Sequence, residues 1–141
     1  MKGNVILDTG PLVALIDYRD IHHQWTVLQW EDIEPPLRTC ESVISEACFL
    51  LDKIHGGKGT VFEMLARKVI DVSFHMEDYT KAIGTFVRKY SSIPMSVADA
   101  CLVRMAEQIP ESSILTLDGD FRIYRKHGRQ VLPLIAPDTV K

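Results

Sequence analysis

A chain of 141 residues, 46% hydrophobic and 25% charged, has the size of one domain with a single sizeable core, and no second domain is expected in 1–141. Its formal net charge of −3 gives no global attraction to nucleic acid or to an anionic membrane, so any nucleic-acid contact must use a local patch. The three widely spaced cysteines, Cys40, Cys48 and Cys101, suggest neither a disulfide framework nor a zinc site.

Buried thiols in a reducing compartment are the expectation for those cysteines. The run VIL at the amino terminus is followed at once by Asp8, Gly10 and Pro11, and no apolar run approaches bilayer length, so a soluble, cytoplasmic protein is expected.

In chain order, Asn4 to Leu7 reads as a short buried strand carrying β-branched Val5 and Ile6. Thr9-Gly10-Pro11 then marks a helix start, with Pro11 suited to the first helical position. A second helix is predicted over 21–30, a loop at Pro35-Pro36, and a short strand over 37–40. An amphipathic helix follows over 42–54, closed by His55-Gly56-Gly57. Further helix is read over 60–67, strand over 69–74, and helices over 76–90 and 96–108, the last introduced by Pro94 and capped by Ser96. Residues 113–117 read as strand, Asp118-Gly119-Asp120 as a turn, 121–127 as a short helix ending at Gly128, and 131–135 as an edge strand. Such alternation points to an α/β layer structure.

Four carboxylates interrupt or end apolar segments: Asp8 in VILD, Glu46 in SVISEACFLL, Asp99 in SVADACLV and Asp118 in ILTLDGDF. An ionised carboxylate near an apolar interior costs several kcal/mol unless a partner offsets it. No Lys, Arg or His stands at a spacing that pairs all four. Asp8 and Asp118 fall at the carboxyl ends of predicted strands, where open parallel sheets place their ligand crevices. Asp99 has Leu102, Val103 and Ala106 on its own helical stripe, and Glu46 has Val43 and Leu50 beside it, so both are expected to look inward.

Each acid also has a plainer reading. Asp8 suits a helix cap, Asp118 a turn, Glu46 a surface rim, and Asp99 a first-turn acid on its helix dipole. Four separate coincidences are less economical than one acidic site holding a divalent cation. Oxygen-only ligands favour Mg²⁺ or Mn²⁺ over Zn²⁺, and such ions support phosphodiester hydrolysis by polarising the phosphoryl group and activating water.

The segments VILDTGPL, SVISEACFLL, SVADACLV and TLDGDF, in this order and spanning nearly the whole chain, resemble the PIN-domain family, particularly the small stand-alone ribonucleases of VapC type. That resemblance implies a three-layer α/β/α sandwich around a central, mainly parallel sheet. It implies an endoribonuclease with an acidic Mg²⁺ or Mn²⁺ pocket, usually a homodimer and often neutralised by a small antitoxin. Asp8, Glu46, Asp99 and Asp118 fall on the family's acidic quartet. Asp8 and Asp99 would be direct ligands, with Asp118 binding directly or through water and Glu46 holding a water or orienting the nucleophile. Asp120 is either an additional ligand or the cap of the following helix. Thr116 is the accompanying hydroxyl residue, and also simply a good strand former.

Substrate contacts are less specific in the sequence. The basic segment Arg122, Arg125, Lys126, His127 and Arg129, with Tyr124, suits a phosphate-binding rim or an ordinary solvated face. His22, His23, Trp25 and Trp30 suit base stacking, a pocket cover or a protein partner. A haloacid-dehalogenase-like phosphatase would need a second acid at position 10, where Gly10 stands, and no acid and lysine pair fits a response-regulator receiver. A PIN-like module used mainly for protein binding or RNA processing, with no toxin role, is the remaining alternative.

Overall fold

The computed structural model describes residues 1–140. Its centre is a parallel sheet of five short strands, β1 (Val5–Leu7), β2 (Leu37–Arg38), β3 (Ile70–Asp71), β4 (Ser113–Leu115) and β7 (Leu134–Ile135), in the order β3-β2-β1-β4-β7. Between β4 and β7 the chain forms a separate antiparallel hairpin, β5 (Arg125–Lys126) with β6 (Gln130–Val131). Val5, Ile6 and Leu7 are all fully buried. An uninterrupted apolar run, rather than alternation, is what a parallel strand covered on both faces requires.

Helices α1 (Thr9–Ile16) and α2 (His23–Glu31) connect β1 to β2, and α3 (Glu41–Leu50) and α4 (Gly57–Ala66) connect β2 to β3. Helices α5 (Thr80–Lys89) and α6 (Val97–Gln108) lead back to β4 on the other side of β1. Travel across the sheet reverses at that return, so right-handed connections put α1–α4 and α5–α6 on opposite faces. The result is the α/β/α sandwich expected from the sequence. Helix α6 is its most buried helix, with Ala98 through Val103, Met105 and Ala106 all inside.

Several local expectations change. Pro11 occupies the third rather than the first position of α1, still within the turn whose N–H groups have no helical partner. The predicted strands shorten, residues 69–74 to Ile70–Asp71 and 37–40 to Leu37–Arg38. The predicted helix over 76–90 begins as a 3-10 turn, Met76–Tyr79. The helix expected over 121–127 is not formed: a 3-10 turn, Gly119–Arg122, leads into the β5–β6 hairpin. His127 and Gly128 have φ of 51° and 82°, the left-handed conformation of a tight reversal rather than a helix end. The edge strand predicted over 131–135 accordingly splits between β6 and β7.

Candidate active site

Strands β1 and β4 are neighbours, and from β1 the chain leaves first toward β2 and later returns to β4. Their carboxyl ends therefore flank the switch point at which open α/β sheets form a crevice. The backbone there is tied from both sides: Asp8 N–H donates to Leu115 O at 3.0 Å, and Thr39 Oγ1 donates to Leu7 O at 2.7 Å.

Three acids reach the crevice as caps. Asp8 precedes α1, and its Oδ1 accepts the Thr9 N–H at 2.8 Å. Asp99 belongs to a capping box at the start of α6, in which its N–H donates to Ser96 Oγ at 3.0 Å while Oδ2 accepts the Ser96 N–H at 3.2 Å. Asp118 caps the 3-10 turn, its Oδ1 accepting the Asp120 N–H at 2.9 Å. Caps need acceptors and the dipoles at helix starts favour negative charge, so the fold concentrates carboxylates where these elements begin together.

Two buried hydroxyls set the acids further. Thr116 Oγ1 donates to Asp8 Oδ2 at 2.7 Å and accepts the Asp118 N–H at 2.9 Å, so one side chain links both strand ends. The Tyr124 phenol donates to Asp99 Oδ2 at 3.2 Å. Its ring is clasped edge-on by Tyr90 and Phe121, with centroids 5.0 and 5.3 Å away. Asp99 Oδ2 is thus doubly engaged, while no partner constrains Oδ1 in these contacts.

Asp8, Thr9, Glu46, Asp99 and Asp118 line one cleft of about 360 Å³. Asp8 and Asp99 are each only 7% exposed, whereas Glu46, from the middle of α3, and Asp118 are exposed. Thr116 lies buried beneath the cleft. Asp120 adjoins Asp118 but is not part of the lining. The aromatic and histidine cluster goes elsewhere: His23 Nδ1 hydrogen-bonds Ala14 O at 2.7 Å, and Trp25 and Trp30 pack against the core. In the basic segment, Arg125 satisfies the carbonyls of Arg122, Ile123 and Tyr124, while Arg122 binds those of Pro137 and Val140.

Burial pushes Asp8 up to about 7 against the lowering effect of its Thr116 and Thr9 bonds, and the Asp99 and Asp118 carboxylates add to the rise. Burial likewise raises Asp99, opposed by its Ser96 bonds, with Asp118 contributing to the rise. Asp120 is raised by desolvation and by Asp118. The side-chain ion pairs among the described residues, Arg19–Asp17, Lys58–Asp52, Arg67–Glu63 and Arg104–Glu107, involve none of these acids.

A hard divalent cation fits this donor set, which is all oxygen, mutually repulsive and without a basic partner among the described residues. Thr9 Oγ1 is a buried oxygen with no hydrogen-bond partner among the described residues, and Thr9 also lines the cleft. The side chains as placed are not a preassembled chelate, since among the described residues no three His, Cys, Asp or Glu groups stand close enough to hold one ion. Asp8 and Asp99 are held by burial and hydrogen bonds, and Asp118 by its cap bond to the Asp120 N–H, while Glu46 is exposed with no side-chain hydrogen bond among the described residues.

The family model for the PIN domain matches residues 5–126. The chain belongs to the PIN-domain family. No curated protein matches it. Among solved structures, the Mycobacterium tuberculosis toxin VapC20, described as cleaving the sarcin-ricin loop, is similar with a TM-score of 0.71 at 20% identity, over 82% of this chain and 91% of that one. At that identity the likeness is one of fold, and it matches the PIN sandwich described above.

The sequence carries little signal for the places of Tyr124 and Thr9 at this cleft. Tyr124 reads from sequence only as a member of a basic rim, and a lone aromatic four residues beyond Asp120 carries no periodic signal. Thr9 reads as a helix-start residue, and its position directly after the strand-end acid is the available clue.

Proposed function

We propose that this PIN domain, spanning 1–141 as a single unit, is a Mg²⁺- or Mn²⁺-dependent endoribonuclease of the VapC toxin type. The observation that carries the reading is the lining of one switch-point cleft by Asp8, Glu46, Asp99 and Asp118, none of them paired with Lys or Arg among the described residues. Asp8, Asp99 and Asp118 would hold the cation, with Asp120 outside the direct set. When bound, the cation would neutralise the acids and polarise the scissile phosphodiester.

The chain's own groups divide the remaining work. Thr116 and Tyr124 hold Asp8 and Asp99 in fixed orientations, so their carboxylates need no reorganisation on binding. Glu46 is exposed at the cleft and serves no helix start, which leaves its carboxylate to orient the attacking water and take its proton. Helix starts around the cleft direct N–H groups toward its anionic contents.

A homodimer and a cognate antitoxin complete the proposal. Its support is apolar surface: Phe49 is exposed on α3, and exposed Phe62 of α4 lines a groove with Ile44, Cys48, Leu65 and Val72. No helix among the described residues is long and apolar enough to cross a membrane, and a cytoplasmic site of action is part of the same reading.

Purified protein incubated with RNA tests the function, with a sarcin-ricin loop oligonucleotide as the first structured substrate because the VapC20 neighbour is described as cleaving it. Cleavage is expected with Mg²⁺ or Mn²⁺ and lost in EDTA or on Asp99→Asn. Undiminished cleavage in either condition overturns the mechanism. Co-purification with the product of an adjacent small reading frame tests the antitoxin.

A further inference from the structure

Without a bound cation the acidic cleft repels a phosphate chain, because none of its lining residues is Lys or Arg. Phosphates on either side of a bound one need charge from outside the cleft. Two stretches of the sequence, 79–98 and 121–137, contain no Asp or Glu, although the whole chain has a formal net charge of −3. The fold fastens one stretch to the other. Arg125 N–H donates to Tyr90 Oη at 3.1 Å, the Tyr90 and Tyr124 rings meet edge-on, and Lys89 Nζ reaches Gly128 O at 3.5 Å.

Cations from the end of α5 and from the β5–β6 hairpin therefore share one surface, with Lys89 on the helix, Lys126 on β5, and His127 and Arg129 in the hairpin loop. Lys89, His127 and Arg129 are exposed. Lys89, Lys126 and Arg129 enter no ion pair among the described residues. Glu107, the acid that touches the loop, is already committed: one carboxylate oxygen accepts the His127 N–H at 2.8 Å and the other accepts from Arg104 at 3.0 Å.

This surface begins at the cleft. Tyr124, whose phenol holds Asp99, immediately precedes β5, and Glu107 pins the loop near the far end of α6. At about 1.5 Å per residue, Asp99 and Glu107 are about 12 Å apart along that helix, a distance covered by a few nucleotides of an extended strand.

We propose that Lys89, Lys126 and Arg129 form a phosphate-binding surface for the RNA strand that flanks the scissile bond, so that the substrate leaves the cleft along the β5–β6 hairpin. The proposal rests on the ribonuclease reading and deepens it by saying what holds the substrate. Contacts of this kind go to the backbone, so they position the strand and carry no sequence information.

Fluorescence anisotropy of labelled oligouridine and oligoadenylate with the whole protein in EDTA, over a salt series, tests the surface without requiring cleavage. For Lys126→Ala combined with Arg129→Ala, both RNAs should bind more weakly, and the slope of log affinity against log salt should shrink by about 1.4, or about 0.7 for each lost contact to a single strand. Lys126→Arg combined with Arg129→Lys should restore the wild-type slope. Lys2→Ala combined with Lys68→Ala removes the same charge before β1 and β3, at the opposite end of the sheet from the cleft, and should leave the slope unchanged. With Mg²⁺ present, the Lys126 and Arg129 alanine pair should raise KM for a long RNA and keep kcat. An unchanged slope in that pair, or an equal loss in the Lys2 and Lys68 pair, overturns the proposal and leaves the loop cations to a protein partner or to solvent. If no form of the protein cleaves RNA but the slope shrinks as expected, the ribonuclease reading falls and RNA binding along the hairpin stands.

Discussion

The Thr116 hydroxyl spans Asp8 and the backbone of Asp118, donating to the carboxylate at 2.7 Å and accepting the N–H at 2.9 Å. Both bonds fill the hydroxyl's capacity in one direction each, and the residue is fully buried. Thr116→Val keeps the shape but leaves the Asp118 N–H without that acceptor. A loss of about 1–3 kcal/mol is expected in denaturant unfolding. Cleavage should fall as well, because Asp8 loses its fixed orientation; wild-type stability in this variant contradicts the assignment.

Tyr124→Phe isolates the second hydroxyl. The ring contacts with Tyr90 and Phe121 survive the change, and only the bond to Asp99 Oδ2 is removed. A hydrogen bond to a carboxylate contributes roughly 1.5–3 kcal/mol, so Mn²⁺ affinity measured calorimetrically should drop by about tenfold or more. Unchanged affinity would show that Tyr124 serves packing alone.

Substitutions of Asp99 should separate capping from chemistry. Asn retains an oxygen acceptor for the Ser96 N–H, whereas Ala removes it at a cost of about 1 kcal/mol. Asp99→Asn is expected to stay close to wild type in melting temperature and Asp99→Ala to melt lower, with cleavage reduced about 100-fold or more in both. Comparable cleavage by the Asn variant and the wild type contradicts a ligand role.

Stability of the cation-free protein should depend on pH through Asp8. Its folded-state value of about 7 lies above the ordinary 3.8, so the folded chain retains a proton that the unfolded chain has released in that interval. The stabilisation is present at the acidic end and is lost as pH rises through the folded value, by at most about 4 kcal/mol for this group. In EDTA, melting temperature should fall between about pH 4 and about pH 7, and Asp8→Asn should flatten the fall. Added Mg²⁺ should offset it in the wild type. A slope that is the same in both proteins places its origin elsewhere.

The sequence carries a local signature for three of the acids that line the cleft: a strand end for Asp8, a strand end plus Gly119 for Asp118, and an apolar helical stripe for Asp99. Its pattern misleads over 121–127, where an apolar and basic run before Gly128 fits both a helix end and a hairpin turn. Backbone reversal at His127 and Gly128 decided for the hairpin, and a two-residue strand is too short to show alternation. Tyr124 stays hidden for a different reason. Its partner Asp99 is far away in the chain, and proximity of that kind leaves no local pattern.

The capping roles of Asp8, Asp99 and Asp118 bear on how such a protein decays. A descendant that had lost its activity would still be selected to keep an acceptor oxygen at these three positions, as aspartate or asparagine, because each caps a helix or turn start that the fold needs. Glu46 lies mid-helix and exposed, and its loss would cost folding almost nothing. Among related chains, replacement of the glutamate at this position, with aspartate or asparagine kept at the three cap positions, is therefore the mark by which a retired enzyme would be recognised.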